Sequence, residues 1–168
     1  MRKVWVVASA LVVLVLVNLS IAMKEYHLAM GEVVYLELAP VDPRSLMQGD
    51  YMALRFALQN DIRNARQNTS ATVNGTAIVR LDENRVAQFV RLDDADAPLA
   101  ENEIRLQYRI RNHWVKIATN AFFFREGTAD RYEAARYGRF RVNDDGAPLL
   151  VSLHDESLNN LGEMDRGL

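Results

Sequence analysis

Val4 to Met23 is a run of 20 residues without a formal charge, interrupted only by Ser9, Asn18 and Ser20, and no other feature constrains the fold so tightly. As a helix rising about 1.5 Å per residue it covers roughly 30 Å, the thickness of the hydrocarbon layer of a bilayer. Arg2 and Lys3 precede it, so the positive-inside rule predicts a short cytoplasmic amino end (1–3), an anchor (4–23) and an exported remainder; Lys24 reduces the charge contrast. A cleaved signal peptide is the other reading, because Ser20-Ile21-Ala22 offers small residues at the spacing a signal peptidase reads. The run exceeds the usual apolar region of about 7 to 15 residues, which favours a retained anchor.

The 145 residues after Met23 suffice for one compact domain and are too few to expect two. All 22 acidic residues lie there, against 18 of the 20 basic ones, a net charge of −4. Nonspecific nucleic-acid binding needs the opposite balance, so no nucleic-acid partner is expected. The absence of cysteine removes disulfides and thiol chemistry from consideration. His27, His113 and His154 are far apart and show no metal-ligand spacing, so no metal and no cofactor is expected.

Beyond the anchor the apolar period is mostly two. From Glu103 to Arg111, Ile104, Leu106, Tyr108 and Ile110 alternate with Arg105, Gln107, Arg109 and Arg111, the pattern of a strand with one dry and one wet face. Further strands are expected at 33–38, 51–58, 76–81, 86–92, 114–117, 121–124, 139–142 and 148–153. Turn chemistry at Asp82-Glu83-Asn84, Arg111-Asn112-His113 and Asn143-Asp144-Asp145-Gly146 separates them. Residues 59–70 and 93–102 read as surface loops, the first with a helical turn at Ile62 and Ala65. A short helix is expected from Ala129 to Tyr137, with Thr128 as N-cap, Asp130 at the positive end of the dipole and Gly138 as the left-handed residue that ends it. The fold class is therefore mainly β, a small antiparallel barrel or sandwich with one short helix over residues 24–155, preceded by one transmembrane helix and followed by a tail at 156–168.

The stretch Gly49-Asp50-Tyr51-Met52-Ala53-Leu54-Arg55-Phe56, entered through residues 40–46, carries a signature. It resembles the GDYXXLXY family of bacterial membrane-anchored proteins, keeping Gly49, Asp50, Tyr51 and Leu54 and placing Phe56 where the family has a second tyrosine. The aromatic Phe122 to Phe124, Glu126-Gly127, Arg136-Tyr137-Gly138 and Leu149-Leu150 match the family's carboxy-terminal half. The resemblance implies a single-pass protein of the bacterial inner membrane with its domain in the periplasm, or secreted if cleaved after Ala22. It also implies a binding or interaction module accessory to a multispanning inner-membrane protein.

Read physically, Asp42-Pro43 starts a short turn that Gly49 closes, and Asp50 can accept hydrogen bonds from the N–H groups of that turn. Alternation assigns Met52, Leu54, Phe56 and Leu58 to one face and Tyr51, Ala53 and Arg55 to the other. Arg44, Asp50, Tyr51 and Arg55 keep polar capacity and are the candidate recognition residues. Arg105, Arg109 and Arg111, with Arg139 and Arg141, are candidates for a basic sheet face. One enzyme reading competes: Leu46-Met47-Gln48-Gly49-Asp50 looks like the end of the active-site box of signal peptidases, which use a serine and a lysine. Their serine position is Val41 here, Ser45 is the nearest hydroxyl, and Lys24 and Lys116 are the lysines outside the amino end; no catalytic residue is assigned.

Overall fold

The computed structural model describes residues 2–39, 47–48, 51–66, 73–93 and 98–163. It opens with α1, Arg2–Met30. Apolar side chains from Trp5 to Met23 are exposed around the helix, and the stretch stands clear of the rest of the protein. This helix is long and apolar enough to span a membrane. Two of its polar interruptions turn back onto the helix itself: Ser9 Oγ donates to the Val6 carbonyl at 2.9 Å and Asn18 Nδ2 to the Leu14 carbonyl at 2.8 Å. Donors satisfied in this way need no water, which is the requirement in lipid.

α1 continues through Lys24 to Met30 before the chain turns at Gly31. There the Gly31 N–H donates to the His27 carbonyl at 2.9 Å, His27 Nε2 donates to the Arg141 carbonyl at 3.0 Å, and Arg141 Nη1 donates to the Gly31 carbonyl at 2.8 Å. A Cβ on Gly31 would lie 2.6 Å from the His27 carbonyl oxygen, so the junction admits no side chain. Helix and β domain thus meet across one residue.

The remaining elements are β1 (Glu32–Glu37), β2 (Met47–Gln48), β3 (Tyr51–Ala53), α2 (Leu58–Ala65), β4 (Val73–Leu81), β5 (Ala87–Leu92), β6 (Glu103–Arg111), β7 (Trp114–Lys116), β8 (Ala121–Phe123), a 3₁₀ turn (Ala129–Tyr132), β9 (Tyr137–Val142), β10 (Pro148–His154) and β11 (Asn160–Glu163). They form antiparallel sheets in the orders β1-β9-β10-β11, β2-β3-β8 and β5-β4-β6-β7. Short bridges connect the sheets. Tyr35 N–H donates to the Arg85 carbonyl at 2.9 Å, Ala39 N–H to the Arg55 carbonyl at 2.8 Å, and Gln107 N–H to the Gly146 carbonyl at 2.7 Å. The result is a mainly β protein whose sheet curls into a half-barrel, as alternation predicts. Its core gathers Val34, Leu36, Leu54, Phe56, Ile62, Val79, Leu106, Phe122, Phe140 and Leu153, with Phe56 edge-on to Phe140 at 5.3 Å and Phe124 stacked on Tyr132 at 5.1 Å.

Three local expectations are corrected. The helix expected over residues 129–137 is a 3₁₀ turn ending at Tyr132; Thr128 makes no cap, its Oγ1 donating to the Arg125 carbonyl at 2.6 Å instead. Gly138 belongs to β9 and lies outside the left-handed region. Its lack of a side chain serves packing: a Cβ would meet Phe56 Cε1 at 3.0 Å, Phe140 Cε2 at 3.1 Å and Leu150 Cδ1 at 3.3 Å. The loop expected at residues 59–70 opens with α2, because Leu58 and Ile62, spaced i, i+4, are both buried. His154 is a core residue, its Nδ1 donating to the Leu158 carbonyl at 2.8 Å and its Nε2 accepting the Ser152 hydroxyl at 3.0 Å.

Candidate functional site

Beyond Ala53 the signature strand passes into an extended stretch, Leu54 and Arg55, before Phe56 bridges to Leu38. Met52, Leu54, Phe56 and Leu58 are buried, Tyr51 and Ala53 are half-buried, and Arg55 is exposed, which is the alternation read from the sequence. Leu54 is fixed from its backbone, its N–H donating to the Asn120 carbonyl at 2.7 Å. α2 follows at once. Gln59 Oε1 accepts the Phe56 N–H at 3.1 Å, a side chain reaching back to satisfy a donor at the helix start, and buried Ile62 pins the helix to the core. These contacts set Gln59, Asn60 and Arg63 beside Arg55.

The opposite wall comes from the β6–β7 hairpin. Asn112 and His113 take positive φ angles of 52° and 68°, the two-residue turn that matches strand twist. Arg111 then pairs with Trp114, Ile110 with Val115 and Arg109 with Lys116. Trp114 is 54% exposed, and the Arg55 guanidinium lies over its ring, 5.5 Å from the centroid. Such a stack at an exposed site contributes about 0.5–1 kcal/mol.

Between these walls lies a cleft of about 510 Å³, lined by Arg55, Gln59, Asn60, Arg63, Trp114 and Lys116 among others. A second hollow of about 570 Å³, lined by Thr76, Gln107, Arg109 and Lys116, shares Lys116 with it. Among the described residues, neither lining contains an aspartate or glutamate. Four other arginines are ion-paired: Arg85 with Glu32, Arg105 with Asp93, and Arg91 and Arg80 with the one carboxylate of Glu103. The Ala100 N–H and Arg91 hold the Glu103 carboxyl below the usual carboxylate range. None of these ion pairs, the ones found among the described residues, involves Arg55, Arg63, Arg109 or Lys116. The cleft is thus cationic in a domain whose net charge is negative.

Arg55 is thus the candidate recognition residue that the structure places in a cleft. Tyr51 pairs with Phe123 across β3 and β8, with ring centroids 6.0 Å apart, and is outside the cleft lining. Arg44, Ser45, Gly49 and Asp50 lie outside the described residues. Of the basic sheet faces, Arg105 is paired with Asp93, Arg111 donates to Asn74 Oδ1 at 3.1 Å, and Arg141 closes the helix junction, while Arg109 reaches the second hollow. A third hollow, about 980 Å³, lies between α1 and the β9–β10 turn and mixes Lys24 and His27 with Asp144 and Asp145.

The GDYXXLXY family model matches residues 13–153, most of the chain. The chain belongs to the GDYXXLXY family. The match begins inside α1 and ends on β10, so the family unit includes the second half of the apolar helix together with the β domain. No curated protein and no solved structure matches the chain. The GDYXXLXY signature is two things in this fold: Leu54 and Phe56 are core, and Arg55 between them faces the cleft.

Sequence reasoning had no local signal for Arg63, Trp114 and Lys116 as companions of Arg55. They lie on α2 and β7, and the half-barrel brings them together. The i, i+4 spacing of Leu58 and Ile62 was the available clue to α2 and hence to Arg63.

Proposed function

We propose that this GDYXXLXY protein is a membrane-anchored binding module whose cationic cleft, formed around Arg55 of the signature, captures an acidic group on a partner. α1 crosses the bacterial inner membrane once, with the amino end in the cytoplasm and the β domain in the periplasm, and the partner is a multispanning membrane protein to which this module is accessory. The observation that carries the reading is the set of cations Arg55, Arg63, Lys116 and Arg109 facing two adjoining hollows whose described lining residues include no carboxylate. The exposed Trp114 adds a rigid aromatic surface of the kind concentrated in binding hot spots. Retention of the helix is supported by its unbroken course through Ala22 and Met23 to Met30 and by the hydrogen bond from His27 to β9.

A photo-crosslinking residue at Gln59 of the full-length protein in native membranes tests the reading. The expected result is an adduct with a membrane protein that disappears in the Arg55→Glu, Arg63→Glu double variant at unchanged thermal midpoint. An adduct indifferent to charge reversal overturns the cleft as the site. A reporter active only in the periplasm, fused after Leu168, checks the orientation, and an inactive fusion refutes it.

A further inference from the structure

We infer that the cleft receives its partner as an added strand: an extended acidic segment pairs edge-on with β7 while its carboxylates meet the cations. The inference rests on the cleft reading above and specifies how that site is filled. It follows from the hairpin geometry. In a two-residue hairpin the residues flanking the turn exchange both backbone hydrogen bonds, and the next opposed pair exchanges none. Arg111 and Trp114 are the flanking pair, so Ile110 and Val115 are the non-bonded pair. The N–H and C=O of Val115 therefore point away from β6, toward the cleft that Val115 lines. β7 is the last strand of the order β5-β4-β6-β7, and no backbone or side-chain group among the described residues takes up those two Val115 groups.

An unpaired strand edge is a template for another strand, and added segments of this kind draw affinity from main-chain bonds and specificity from alternate side chains. The side chains near this edge select for negative charge. Lys116 on β7 stands directly opposite Arg109, a like-charge pair that weakens a sheet unless something neutralises it. Arg55, just beyond β3, and Arg63 on α2 face the same cleft. One face of an extended segment presents a side chain about every 6.6 Å, so alternating carboxylates can serve several of these cations at once.

The test uses the full-length protein in nanodiscs of zwitterionic lipid, selectively labelled at valine, with three octapeptides: alternating glutamate and valine, alternating lysine and valine, and alternating glutamate and proline. The glutamate–valine peptide is expected to bind and to slow exchange of the Val115 amide about tenfold, the factor one hydrogen bond of ordinary net strength supplies. The lysine peptide should not bind, and the proline peptide, unable to complete the ladder, should bind at least about tenfold more weakly. If the glutamate–proline peptide binds equally and Val115 exchange is unchanged, strand addition is overturned while the cationic cleft stands. If no acidic peptide binds, or binding ignores Arg55→Glu, both readings fall. Protection of Val115 by anionic lipid alone, or protection that rises with protein concentration without peptide, also overturns the inference, because the occupant would be the membrane surface or a second copy.

Discussion

Gly138 separates two physical accounts of one glycine, and a pair of substitutions decides between them. Local chemistry suggests a helix cap, in which the residue adopts a left-handed conformation; asparagine tolerates that conformation better than alanine does. The structure instead puts Gly138 in β9, between Leu36 of β1 and Leu153 of β10, with Phe56, Phe140 and Leu150 within 3.0 to 3.3 Å of any added Cβ. β9 is held on both sides and Phe56 and Phe140 are buried, so neither backbone nor rings can retreat freely. Overpacking of this kind costs about 1–3 kcal/mol, and replacing a strand glycine by alanine returns about 0.5–1 kcal/mol of chain entropy. Gly138→Ala should therefore destabilise by about 0.5–2 kcal/mol. Gly138→Asn adds volume and a buried amide, so its cost should be about 2–5 kcal/mol. For a domain of this size the thermal midpoint falls by roughly 3 °C per kcal/mol, giving about 2–6 °C for alanine and about 6–15 °C for asparagine. Circular dichroism of the full-length protein in detergent measures both. A midpoint for asparagine equal to or above that for alanine would refute the packing account.

Ile62 is fully buried on α2, and Ile62→Ala should cost about 2–5 kcal/mol in a denaturant titration, whereas Arg63→Ala, one residue on and facing the cleft, should stay within about 0.5 kcal/mol. Glu103 carries the pH prediction. Its carboxyl is held below its unfolded value by the Ala100 N–H and Arg91, so its contribution is complete above about pH 4.3 and is lost as pH falls through the folded value. Glu103→Gln should lower the midpoint at neutral pH and flatten the fall below about pH 4.3; parallel acid limbs in the two proteins would refute the assignment.

How much of this was legible depended on whether the deciding contact was local. β6 was readable end to end because one of its faces packs on the core while the other meets water. The inward set from Met52 to Leu58 was also readable, even past the end of β3, since extended chain keeps the two-residue alternation without a ladder partner. Gly138 was misread because helix caps and tight sheet contacts both select glycine, and the arbiters, Phe56 and Phe140, come from other strands. α2 shows only Leu58 and Ile62 as apolar anchors among polar neighbours, too little period to stand out from a loop. Arg55 was identified from the signature itself. The cleft around it was not, because Arg63, Trp114 and Lys116 converge only when the sheet curls; Arg44, Gly49 and Asp50 lie outside the described residues.

The one-residue junction at Gly31 sets the geometry of any search for a partner. A flexible tether lets a domain sample a volume that grows with linker length, and dilutes it accordingly. Here the last turn of α1 is bonded to β9, so the domain follows the tilt and spin of its own anchor. For an anchor lying in the bilayer, encounter then becomes a problem in two dimensions: lateral diffusion brings the molecules together, and rotation about the helix axis aims the cleft. On the proposed reading, an acidic segment of a membrane partner carried at the matching height would meet it at high local concentration, and one displaced along its own membrane helix would meet it less often. Inserting residues after Gly31 should therefore lengthen reach and lower occupancy together, without changing any group in the cleft.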